Sequence, residues 1–532
     1  MATTAMDTDM AQNHKWLIYG LVIYALAAKA NGGEWEFTPN LVFEETYTDN
    51  VELEKNNKTT SYVSQYIAGI ETQFNSRLAE FSLDATGTYA TYTHNHDLDD
   101  DFRTLNANGR LALWTEGPAI VASASINNVS KNSANNSLAD LVSGDTVEYR
   151  SYMTGIEYNI ENSKFLISSS LKYNIHSAED DIGESNGYTA AFNTSSKNEN
   201  IGLLWQVDGF FTKRENNDLS GETYNAEALL GIYTGFNFTP LLRFYDEDSS
   251  GDIASSTNTS MTSFGPGFRW KVSPHFFLDM SYNYVEDKKL TDDYLTVAVN
   301  WQPSQRTSLT AEYSQRFYGD SYDFEFEHKI KRLKNTISYN ETIDAFDRNS
   351  YQQVLLGNYW CPESANLESD FSDCFLSSNT EIDFEQFQLF SLYDQELIEG
   401  NEFSLNKTLS WQTQLTLSRT TFSLSINNRE RESLNTGRQD DSLSANMSIT
   451  RKVSGKSDFT ITADFRREEF DKSNPETNGQ NDYYRTVATT YTRQLARTLS
   501  TNFTLQYLDR SSSEVIRTYE EVRAIFNISK DF

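Results

Sequence analysis

From Trp35 to Phe532 apolar side chains return at almost every second position, and helical spacing occurs almost nowhere. Successive side chains of an extended chain point to opposite faces, so this period specifies strands with one apolar and one polar face. DFTITADFRREEF places Phe459, Ile461, Ala463 and Phe465 on one face, against Thr460, Thr462, Asp464 and Arg466. TLSTNFTLQYLDR sets Leu499, Phe503, Leu505 and Tyr507 against Ser500, Asn502, Thr504 and Gln506. YDFEFEHKIK sets Tyr322, Phe324, Phe326 and Ile330 against Asp323, Glu325, Glu327, Lys329 and Lys331. Such a row of charges is costly inside a packed core and cheap where its face lines water. The C-terminal YEEVRAIFNISKDF continues the pattern, with Val522, Ala524, Phe526, Ile528 and Phe532 on one side and Ile525 as the exception.

The connections alternate as well. Short polar turns (Asn75-Ser76, Thr115 to Pro118, Gln302 to Gln305, Ser454 to Ser457) take turns with longer linkers such as Thr93 to Asp101, His176 to Asn186 and Asp471 to Asp482. Short turns on one side and long loops on the other describe an outer-membrane barrel. The pattern predicts an all-β, transmembrane antiparallel barrel of about 24 strands, within two either way, each long enough to cross the hydrocarbon at a tilt. An even count returns both ends to the periplasmic side. The segment 344–401 reads as one long external or inward-folded loop.

Composition sets the compartment and excludes some partners. The formal charge of -32 argues against nucleic acid, because binding phosphates needs a basic face. A mean hydropathy of -0.59 with 30 Tyr and 33 Phe suits a chain that puts rings on one face of its strands. The apolar run from Trp16 to Ala28, followed by Ala28-Lys29-Ala30, matches a signal peptide over residues 1–30, and is too short to span a bilayer as a helix. The predicted location is the outer membrane of a Gram-negative bacterium. The expected partners are membrane lipid and the outer-membrane assembly machinery. Phe526, Ile528 and the terminal Phe532 resemble the assembly signal of such barrels, although Lys530 stands where that pattern prefers an apolar residue.

The mature start GEWEFTPNLVFEETYTDNVEL carries Trp35, Pro39, Glu45, Tyr47, Thr48, Asp49, Asn50 and Val51 in an order that resembles the opening of the outer-membrane β-barrels associated with PEP-CTERM/exosortase exopolysaccharide systems. Asn401 to Ser433 is similar to that family's late hairpin and charged external stretch. The resemblance implies a porin-like barrel in an envelope polysaccharide locus. It implies polysaccharide and periplasmic export components as partners, and it hands over no catalytic residues.

Candidate chemistry is sparse. Cys361 and Cys374 are expected to form a disulfide in an oxidising compartment. Asp246, Asp248, Ser250 and Asp252 begin like a calcium loop, but Thr257 stands where the bidentate Glu belongs, so only a weak calcium site is expected and no other cofactor. No catalytic motif is present, and the chain is not expected to be an enzyme. By alternation Asp279, Glu312, Asp323, Glu325, Glu327 and Asp464 face the lumen with Arg306, Arg316, Lys329, Lys331 and Arg466. Such a polar lining favours cations if enough of the negative charge lies near the pore. Three roles stay open: a conduit or accessory protein in exopolysaccharide export, a general cation-preferring porin, and a structural barrel that anchors surface polymer through acidic loops.

Overall fold

The computed structural model describes residues 33–532 except 133–140, 144–145, 198–201, 217–218, 254–258, 287–291, 363–374, 377–386, 472–478 and 514–516, with backbone alone at 347–359, 375–376 and 387–400. The proposed signal peptide and Cys374 lie outside the described residues. No described helix is long and apolar enough to cross a membrane.

Twenty-four strands pair antiparallel in chain order, from β1 (Glu34–Thr48) to β25 (Tyr519–Asp531), and β25 pairs back onto β1. The extra element, β18 (Phe375–Leu376), pairs only beyond the ring, on β17 (Leu333–Pro362). One end of the ring carries tight connections, at 76–78, 162–164, 274–275, 455–456 and 497–498. The other end carries the longest ones, at 49–60, 131–145 and 470–480, together with a two-residue turn at 317–318.

The ring is inverted relative to a soluble protein. Large apolar side chains such as Leu242, Phe264, Phe503 and Leu505 are exposed, while Arg243, Glu247, Asn283 and Glu521 are buried. Exposed Trp114, Trp270, Trp301 and Trp411 gather at the short-turn end, and exposed Tyr62, Tyr89, Tyr188, Tyr282 and Tyr284 at the long-loop end. Two aromatic girdles bounding an apolar band are what a barrel needs to sit in a bilayer. The closed ring leaves no backbone edge in lipid, and this is an outer-membrane barrel.

The seam between first and last strand is closed by residues of the stretch from Pro39 to Val51. Nine residue pairs run from Asn40↔Asp531 to Thr48↔Arg523. Above them Thr48 donates to Glu521, and the Val522 amide donates to the Asp49 carboxylate at 2.7 Å. Buried Asn50 donates to the carbonyls of Glu520 (2.9 Å) and Glu54 (2.7 Å) and accepts from the Glu54 amide (3.0 Å). Val51 packs with Val63, Ala90 and Tyr92. At the other end the Phe532 amide donates to the Pro39 carbonyl at 2.9 Å.

Within the segment 344–401, expected as one long loop, the described residues 344–362 and 387–401 are strand. Strands β17 (Leu333–Pro362) and β19 (Phe387–Thr416) pair from Leu333↔Leu415 to Pro362↔Phe387. Pairing of β19 with β20 (Thr420–Ser433) stops at Ser404↔Ser433, so the rest pairs only with itself. This two-stranded arm continues for roughly 50 Å at the rise of an extended chain.

Replacing Asn50 with Ala should leave buried carbonyls of the seam unpaired and cost about 1–3 kcal/mol. Denaturant unfolding in lipid vesicles checks this, with exposed Arg306→Ala as the neutral comparison.

Candidate functional site: the divided lumen

Neighbouring strands lie about 4.8 Å apart, so eight strands separate two wall positions by about 38 Å along the sheet. Arg214 on β9 (Gly202–Asn216) nevertheless donates to the Ala345 carbonyl of β17, eight strands away, at 2.8 Å. The wall is therefore folded across its own lumen at the long-loop end. An apolar clasp fills the crossing, with Ile253, Ile343, Ala345, Phe346, Phe403 and Leu405 buried together. Asn435 bridges it by donating to the Ile253 carbonyl at 3.2 Å. Phe346 sits at a register shift of β17 with φ +55°, a left-handed conformation that costs a bulky residue of order 1–3 kcal/mol. Burial of its ring in the clasp offsets that strain. A Cβ on Gly221 would lie 2.5 Å from Ile253 Cδ1, so glycine there lets β10 (Leu219–Tyr233) reach the clasp.

The crossing encloses a small lobe formed by β9 to β17. At its centre Arg243 on β11 (Phe238–Gly251) donates to Glu227 at 2.6 Å, to the Tyr294 hydroxyl at 3.0 Å and to Ser314 at 3.3 Å. Its guanidinium also lies 5.0 Å from the Tyr245 ring centroid. Ser314 belongs to β15 (Thr307–Arg316), four strands or about 19 Å along the wall, so these contacts hold the lobe narrow. On the short-turn side of this layer a cavity of about 240 Å³ is lined by Glu227, Arg243, Arg269, Asp279, Glu312 and Asp323 among others.

The large lobe carries ion pairs too, Arg510 with Asp482 among them, and adds rows of uncharged side chains. Thr421 on β20, Thr450 on β21 (Gln439–Ser454), Thr460 on β22 (Ser457–Glu469), Thr490 on β23 (Asn481–Ala496) and Thr504 on β24 (Leu499–Ser512) stand directly opposite one another, a row of five hydroxyls on the lumen face. Thr450 and Thr460 are 3.1 Å apart and Thr490 and Thr504 2.9 Å. The adjacent row is Ser423, Ser448, Thr462, Ala488 and Gln506. Against the crossing lies a cleft of about 500 Å³ whose lining includes Tyr149, His176, Arg214, Asp344, Asn406 and Arg429. The Tyr149 and His176 rings stack at 6.1 Å. Residues 141–143 turn into the long-loop mouth, where Tyr92 donates to the Leu141 carbonyl at 2.5 Å and Arg523 to Ser143 at 2.8 Å. Contacts across the wall and this segment therefore narrow the barrel.

Several expected lumen residues take up that position in pairs. Asp279 accepts two bonds from Arg269, at 2.7 and 2.6 Å, and Arg316 bonds Glu247 at 2.8 Å. Glu312 and Asp323 face each other across β15 and β16 (Gly319–Lys329). Asp464 accepts from Asn446, and Arg466 bonds Glu468 on its own strand. Glu327 lies 3.7 Å from Lys334, while Glu325 is exposed. Arg306 and Lys331 are corrected, since they lie in exposed short turns rather than on the wall, and Lys329 is exposed at the rim. The calcium reading is also corrected. Asp246, Asp248 and Ser250 lie on β11, where extended backbone spreads them along one outward face, and Asp246 accepts from Tyr224 (2.9 Å) and Thr262 (2.6 Å). Asp252 accepts from Ser220, and no three potential metal ligands converge among the described residues. Phe526 and Phe532 are exposed on the lipid side of β25, with Ile528 half-buried. Cys361 is buried and disulfide-bonded.

Arg243 and Glu247 escaped the sequence reading because DEDSSGD resembles a loop, which hid the continuation of β11. The usable signal was the alternation Leu241, Arg243, Tyr245, Glu247, which sets two charges on a strand face shared with apolar residues.

No family model and no curated protein matches the chain. Solved structures similar to it include the siderophore receptor PirA of Acinetobacter baumannii, at 9% identity and TM-score 0.40, over 93% of this chain and 80% of that one. OccK1 of Pseudomonas aeruginosa is similar at 8% identity and TM-score 0.33, over 93% and 99%. A loop-deletion mutant of OmpT, an outer membrane protein of Vibrio cholerae, is similar at 9% identity and TM-score 0.33, over 94% and 99%. These likenesses extend to the barrel alone.

Arg243→Ala should strand Glu227 beside the packed layer and cost about 3–5 kcal/mol. The drop in denaturant midpoint, against an unchanged Thr504→Ser, measures it.

Proposed function

We propose that this barrel is a conduit or accessory protein in exopolysaccharide export and not an enzyme. The observation that carries the reading is the row of five threonines with its neighbouring serine, threonine and glutamine hydrogen-bonding groups. Uncharged donors and acceptors at strand spacing suit a polyhydroxylated chain, which must be held weakly at many points to keep moving. The large-lobe cleft adds a ring pair beside Arg214, Asp344 and Asn406, a mixture that hydrogen-bonds hydroxyls and stacks on a sugar face. The resemblance at Trp35 to Val51 supports the same system and supplies the link to polysaccharide. The hydroxyl row lies on the wall of the large lobe, away from the charged layer of the small one, so the polymer path runs through the large lobe. A cation-preferring porin is the second reading, favoured by Glu312 and Asp323, which line the small-lobe cavity opposite one another.

The combined substitution of Thr450, Thr460 and Thr490 by Val keeps shape and removes three hydroxyls. At about 0.5–1.5 kcal/mol for each hydrogen bond, it should weaken block of the single-channel current by acidic or neutral oligosaccharides at least tenfold. Planar-bilayer recording measures this. Equal block by both proteins, together with unchanged secreted polymer in a deletion strain, would instead support the porin.

A further inference from the structure

We infer that the β15–β16 hairpin is a hinged lid over the long-loop end of the small lobe, latched shut by Glu247. The ladders on its two sides end early. Pairing with β14 (Tyr294–Ser304) stops at Val297↔Tyr313, and pairing with β17 stops at Phe324↔Tyr339. The hairpin's own ladder continues to Arg316↔Gly319. Its outer part is thus tied to itself and to neither neighbour by sheet pairing, so it can swing without breaking a ladder bond in the membrane-embedded wall.

What holds the tip is a side-chain latch across the lobe. Glu247 is 1% exposed and accepts from Arg316 Nε at 2.8 Å, from the Phe317 backbone amide at 2.8 Å and from the Tyr245 hydroxyl at 3.0 Å. Phe317 packs against both the clasp and the group formed by Tyr245, Met261, Val285 and Tyr294. Tyr318 donates to Glu341 at 2.8 Å, bridging to β17 where the ladder has ceased. A ladder bond cannot be exchanged in lipid without exposing a bare backbone group. A latch built on one carboxylate can be released in the lobe, where Arg316 and Glu247 can exchange partners. Beneath the lid lies the cavity that Glu227, Asp279, Glu312 and Asp323 line, so lid movement controls its access from the long-loop side. This inference is independent of the polysaccharide reading.

The test uses the full chain in liposomes carrying Thr296→Cys, a position 5% exposed that lines the cavity. A membrane-impermeant methanethiosulfonate is added from the long-loop side, with heat-modifiable gel migration confirming a folded barrel. Glu247→Gln and, separately, Arg316→Gln are each expected to raise the modification rate at least tenfold over the Thr296→Cys parent. Unchanged rates in both folded variants would overturn the lid, because the tip would then be fixed wall. Rapid modification of the parent, at the rate of a free thiol, would overturn it too, because the cavity would be open without any latch release.

Discussion

The constraint on which this structure depends is the absence of water in the hydrocarbon. Each backbone amide and carbonyl of the wall must find its partner inside the protein, so the twenty-fourth ring strand has to return to the first. Local alternation can make strands anywhere, but one bond network, the β1–β25 seam, turns them into a closed ring. At its long-loop end Thr48 donates to the Glu521 carboxylate, while the side chains of Asp49 and Asn50 cap the Val522 amide and the Glu520 carbonyl. The stretch from Thr48 to Asn50 thus has a direct structural role. It closes the barrel where the ladder runs out.

Closure fixes the perimeter and leaves the cross-section free. A circular ring of this size would enclose a wide aqueous lumen. Here the wall crosses itself, and the crossing is apolar, with Phe346 and Phe403 where water would otherwise stand. The division yields two compartments that both hold desolvated ion pairs, such as Arg510 with Asp482 in the large one, and the large one adds neutral rows. The small lobe is held by charges desolvated in pairs, Arg243 with Glu227 and Arg316 with Glu247, so removing either member is expensive. The large lobe presents neutral hydroxyl rows whose members bond each other weakly, a surface that is easily shared with a passing solute.

Much of the ring was legible in the sequence. The lipid-facing set Phe459, Ile461, Phe503, Leu505 and Phe526 follows from period two alone, as do the lumen-facing Thr460 and Thr504. Local turn chemistry fixed the alternation of short and long connections. The crossing was not legible, because Arg214 and Ala345 are 131 residues apart and alternation states which face a side chain takes, not how the wall bends. The arm was missed for a related reason. Between Asp344 and Asn401 the apolar rhythm weakens, and only pairing of β17 with β19 reveals two strands there. At 246–252, Asp, Ser and Gly read as a loop, yet the register with β10 carries β11 through to Gly251. Tertiary pairing outweighed local turn propensity at that point.

The most direct test of the divided lumen is a pulsed electron paramagnetic resonance distance between spin labels at Thr212→Cys on β9 and Thr342→Cys on β17, in lipid and under oxidising conditions. With strands tilted by about 40°, eight strands take up about 50 Å of the circumference, so on a circular ring of 24 these positions would be about 40 Å from each other. The folded-over wall, joined by Arg214 and Ala345, expects a narrow distribution at less than half that distance. A distribution centred near 40 Å would mean an open round barrel, and would contradict the two-lobed lumen.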